Sequence, residues 1–178
     1  MVRVFLFGIF TFLLQTAYAQ LPNAVFPRDF VGNWKGILEW APITKPVQTV
    51  NMELRIQPVR DSANQFTWNL IYGSVTADNR PYILIPADSA KGHWVIDEKN
   101  GIILDQYYVK GRLVGAFSVQ QSTIVSTYTL IDENTMTVEF VTYATKPIAT
   151  SGKGDSASPS VDSYEIKSIQ KAVLRKGN

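Results

Sequence analysis

The chain has 178 residues, 46% hydrophobic, 18% charged and 12% aromatic, with 17 Lys plus Arg against 15 Asp plus Glu. That is one domain's worth of core, and it excludes a disordered chain and any general electrostatic attraction to nucleic acid. With no cysteine and a single histidine, His93, disulfides, thiolate metal sites and multi-histidine metal centres are excluded as well.

The chain opens with a short positive region at Arg3, then an almost wholly apolar run from Val4 to Leu14. Ala17 and Ala19 supply the small-x-small pattern of a signal-peptidase site, so residues 1–19 read as a cleavable signal peptide with the cut after Ala19. The run is about half the length of a bilayer-spanning helix, and no later stretch is apolar enough to span. The mature chain, 20–178, is therefore expected to be secreted or periplasmic and to form one domain.

From there the pattern is that of strands. Val50, Met52, Leu54 and Ile56 alternate with polar residues, which puts them on one face of a strand. Phe66, Trp68, Leu70 and Tyr72 share a face of the next. Tyr82–Ile85, Trp94–Ile96, Ile102–Val109, Leu113–Val119 and Thr123–Ile131 follow, then Met136, Val138 and Phe140 in alternation. The last run, Tyr164–Arg175, has Glu165, Lys167, Lys171 and Arg175 on one face. Tyr164, Ile166, Ser168, Gln170, Ala172 and Leu174 lie on the other. Turn clusters separate the runs: Asp61–Asn64, Asp78–Pro81, Asn100-Gly101, Lys110-Gly111 and Asp132–Asn134. Residues 150–160 are small and polar, and read as a flexible surface loop. About ten strands in consecutive hairpins favour an all-β, antiparallel up-and-down barrel, whose closure removes the sheet edges; a sandwich is the alternative.

Gly32-Asn33-Trp34 opens the first strand. It resembles the G-x-W signature of the calycin barrels, which include lipocalins, fatty-acid-binding proteins and nitrobindin-like barrels. The resemblance implies a lipocalin-like barrel in which Trp34 plugs one end and a basic residue of the last strand, here Arg175, lies over its ring. The chain departs from each subfamily. Ala41–Pro46 holds two prolines where fatty-acid-binding proteins have a helical lid. Ser168 and Gln170 stand where an Arg-x-Tyr clamp would be. His93 lies mid-chain, whereas a nitrobindin-like barrel holds heme through a late-strand histidine, so no heme or other cofactor is implied.

Chemistry-bearing residues are sparse. His93, Asp97, Glu98 and Asp105 could work as acid and base at a barrel mouth, but neither a nucleophile elbow nor a phosphate loop accompanies them. The aromatic residues are more informative. If the Phe66/Trp68/Tyr72 face points inward, rings with polar tips line the lumen, joined by Tyr128, Ser168 and Gln170. Phe66, Trp68, Tyr72, Tyr128, Ser168 and Gln170 are thus the candidate ligand-binding residues. The expected partner is a small hydrophobic or amphipathic molecule, held non-covalently by a monomer, without nucleic acid and without a membrane span after signal removal. A solid barrel acting through its loops, and a small enzyme using the mouth carboxylates, are the competing readings.

Overall fold

The computed structural model describes residues 24–177. The signal segment expected over 1–19 and its expected cleavage point lie outside the described residues. Ten antiparallel strands run in chain order: β1 (Gly32–Pro42), β2 (Gln48–Ile56), β3 (Phe66–Tyr72), β4 (Asp78–Asp88), β5 (His93–Asp97), β6 (Ile103–Val109), β7 (Arg112–Val119), β8 (Ser122–Asp132), β9 (Thr135–Ser151) and β10 (Val161–Gly177). Each strand pairs with its sequence neighbours, and β1 pairs with β10 over Asn33–Pro42, so the sheet closes into an up-and-down barrel. The expectation of an all-β barrel of about ten strands holds, and the sandwich alternative falls.

Period-2 alternation decides what enters the barrel. Cross-strand partners share a face, so the inward set can be followed around the sheet from Trp34 to Leu54 to Leu70 to Arg80. The β1–β2, β3–β4, β5–β6, β7–β8 and β9–β10 connections lie at one end; the other four and the described N-terminal segment lie at the other. That second end is packed solid. Trp34 is fully buried and its indole Nε1 donates to the Phe30 carbonyl at 2.8 Å. A short 3₁₀ turn, Arg28–Phe30, crosses the end and inserts Phe30. Phe26 stacks on Tyr108 and meets Trp94 edge-on, while the Tyr108 hydroxyl donates to the Ala24 carbonyl.

Several local expectations change. The cation over the Trp34 ring is Lys176, with Nζ 5.0 Å from the centroid. Arg175 faces outward and donates to the Thr135 hydroxyl. Lys176, not Arg175, shares Trp34's inward face, because Trp34 pairs with Lys176 across β1 and β10. Asp78–Pro81 is not a turn but the start of β4, and Ser74–Ala77 makes the reversal instead. Strand β9 runs through Thr150 and Ser151, so the loop is shorter than 150–160. Tyr164 and Ile166 are exposed rather than inward, because register shifts between Ser163 and Ser168 break the alternation in β10. At Asn100-Gly101 the positive φ angles belong to Lys99 and Gly101, while the Asn100 side chain accepts from the Ile102 amide.

Candidate functional site

The open end is not filled. A cavity of about 520 Å³ enters it, within the usual range of about 300–1,000 Å³ for small-molecule sites. Its lining comes from the inward positions nearest the open-end hairpins: Trp40 before the β1–β2 turn, Tyr72 and Asp78 beside the β3–β4 turn, Glu98 at the β5–β6 turn, and Phe117 and Ile124 flanking the β7–β8 turn. Deeper, the wall is aliphatic and aromatic, with Leu38, Val50, Leu70, Ile96, Leu104 and Phe140. These side chains point inward for the same reason as those of the solid end. The difference is that, among the described residues, no chain segment crosses the open end to fill it.

Polar groups are few and placed at two levels. At the mouth, Arg80 lies with its guanidinium carbon 4.8 Å from the Tyr72 ring centroid and forks onto Asp78, Nε to Oδ1 at 3.0 Å and Nη2 to Oδ2 at 2.7 Å. The Arg80 guanidinium holds the Asp78 carboxyl below the usual carboxylate range, and Asp78 in turn holds Arg80 firmly protonated. Glu98 and Tyr82 share this rim. Tyr72 and Gln170, which pairs with Trp40, lie near the mouth as well, and deeper lie Gln106, Ser126 and Tyr128. Burial pushes the Tyr72 hydroxyl up to about 12 and raises Tyr128 still further. Both therefore stand as neutral hydroxyls at physiological pH. The Trp68 indole N–H approaches the Tyr128 hydroxyl and opposes part of that rise, but falls short of hydrogen-bond geometry.

Of the six residues expected at a ligand site, Tyr72, Tyr128 and Gln170 lie on the cavity wall. Trp68 is fully buried and backs Tyr128, ring to ring at 4.9 Å. Phe66 pairs with Leu84, farther toward the closed end, and Ser168 is buried beside Thr142 in the β9–β10 pairing. His93 and Asp105 are joined at 2.7 Å on the outer face, because their neighbours Trp94 and Leu104 take the inward positions; Asp97 faces outward likewise. Glu98 alone of the candidate acid–base groups reaches the cavity.

Arg80 and Gln106 escaped sequence reasoning. Arg80 was hidden inside an apparent turn. Gln106 shares the alternation of Leu104 and Tyr108, and that pattern was the available signal for it.

No protein-family model and no curated protein matches the chain. Among the solved structures that share the fold are two. One is a protein of unknown function from the DUF3598 family of Nostoc punctiforme, at TM-score 0.59 and 13% identity over 84% of this chain. This chain spans about half of that structure, 48% of its length. The other is the S-type phycobiliprotein lyase CPES of Guillardia theta, at TM-score 0.53 and 8% identity, covering 85% of this chain and 90% of the lyase. With the closed ten-stranded barrel, these likenesses fit a calycin-like fold.

Proposed function

We propose that this chain is an exported, monomeric, lipocalin-like carrier that encloses one small apolar or amphipathic molecule in the open half of its barrel. In this reading Gly32-Asn33-Trp34 is the G-x-W opening of a calycin barrel. The observation that carries the proposal is the division of the lumen into a solid half and an open half of about 520 Å³. A barrel serving only as a scaffold for loops gains packing energy by filling its lumen. This one leaves hydrophobic walls uncovered, with a few neutral polar groups among them. The barrel likeness to a phycobiliprotein lyase supports a small-molecule partner in the same general way. Tyr72, Tyr128 and Gln170 serve as wall contacts, while Trp68, Phe66 and Ser168 support that wall from behind or beside it.

Nile red, a neutral hydrophobic dye, tests this. The mature protein is expected to bind it saturably, one to one, at micromolar affinity or weaker. Leu104→Trp places an indole in the cavity and is expected to abolish binding while the β-sheet circular-dichroism spectrum is unchanged. Binding that survives Leu104→Trp would place the dye on the outer surface and remove the basis of the proposal.

A further inference from the structure

Among the polar groups on the cavity wall, Gln106 stands apart. It is 1% exposed, lies on β6 between Leu104 and Tyr108 on the inward face, and its carbonyl oxygen has no hydrogen-bond partner. Leaving a buried amide oxygen unpaired is costly, and such groups in folded proteins call for a specific cause. Across the ladder Gln106 pairs with Gly115, which is also buried. A Cβ at Gly115 would fall on both ends of the Gln106 amide, so the amide lies flat over the glycine, seated where any other residue would push it into the lumen. Ser126, the next residue round the ring, spends its hydroxyl on the Gly115 carbonyl at 3.5 Å and does not serve the amide.

Charge around the cavity narrows what this seat receives. Among the described residues, the one cation on the wall, Arg80, is already forked onto Asp78, and Glu98 adds a second carboxylate at the rim. Among these residues an anionic head group therefore meets no free positive charge and one surplus negative charge. A neutral group that both donates and accepts hydrogen bonds suits a primary amide, which presents both functions side by side. The last side-chain torsion of Gln is broad, so either end of the amide can turn toward the lumen.

Resting on the enclosed-ligand reading above, we infer that the Gln106–Gly115 pair is the polar recognition element of the cavity, and that it selects molecules with an apolar body and a neutral donor–acceptor group such as a carboxamide or lactam, over carboxylates of the same length. The apolar body lies against Leu38, Leu104 and Phe140, and the neutral group exchanges hydrogen bonds with the Gln106 amide.

Competition against bound Nile red tests this with two probes of equal chain length, dodecanamide and dodecanoate. The wild-type protein is expected to release dye at a dodecanamide concentration at least tenfold below that needed with dodecanoate. Gln106→Leu keeps the shape of the wall and removes the amide, and it is expected to bring the two probes within about twofold. Gly115→Ala leaves Gln106 in place but unseats it, and is expected to shrink the preference as well, read as the ratio of the two probes' displacing concentrations on that variant. Equal displacement by the two probes on wild-type protein, or a preference that survives Gln106→Leu, overturns the inference while the dye binding itself leaves the carrier reading standing. Absence of saturable dye binding to folded wild-type protein overturns both.

Discussion

Trp34 shows how one side chain can close a barrel. Its ring is fully buried, its N–H is spent on the Phe30 carbonyl, and Lys176 covers its face. Trp34→Ala is expected to cost about 3–5 kcal/mol, read as a lowered urea midpoint. Lys176→Met removes the cation and keeps much of the aliphatic cover, so a smaller loss of about 0.5–1 kcal/mol is expected. Tyr72 offers a second test at this scale. Its hydroxyl is raised to about 12 by burial, whereas in the unfolded chain it ionises near about 10. A folded value above the unfolded one contributes stability that is whole below about pH 10 and lost as pH rises toward 12. The urea midpoint is therefore expected to fall between about pH 9 and about pH 11.5, and Tyr72→Phe to flatten that fall. An unchanged slope in the variant would show that other tyrosines, Tyr128 among them, carry the effect.

At the scale of elements, two glycines separate two kinds of constraint. Gly36 on β1 lies so close to β10 that a Cβ would strike the Val173 carbonyl oxygen. Gly101 sits in the β5–β6 turn at φ +94° with open space around it. Gly101→Ala is expected to cost about 1–2 kcal/mol, the price of an L-residue at positive φ. Gly36→Ala strains the seam that closes the barrel and is expected to cost more than that in the same denaturation assay. These elements also show what was legible beforehand. The faultless alternation of Val50–Gln57 put Met52, Leu54 and Ile56 in the core, where they are. Asp78–Pro81 misled because Asp, Asn and Pro favour turns locally, yet pairing with Leu70–Tyr72 and the Arg80–Asp78 fork hold them extended. Pro81 is tolerated near the start of its strand, and Pro86 sits beside a register shift, both places where a missing N–H costs little. Arg175 misled by one residue, and in a strand one residue is the whole difference between inside and outside.

Taken as a whole, the molecule spends its hydrophobic residues unevenly. One half of the lumen is closed by Trp34, Phe30 and Trp94, and the other keeps a cavity of about 520 Å³ walled by equally apolar side chains. Strand periodicity shows which side chains face inward, but not how tightly they fill the space. Whether ten strands enclose a cavity depends on tilt, on side-chain volume and on which end the chain crosses, and none of these is a local property of the sequence. That is why the barrel was legible, and why Tyr72, Tyr128 and Gln170 could be proposed while Arg80 and Gln106 could not. Native mass spectrometry of the protein, purified from the cells that make it, tests the central claim most directly. The expected result is a single small molecule bound per chain, lost in the Leu104→Trp variant. Only the bare protein mass, from folded protein that also fails to bind Nile red, would contradict the account.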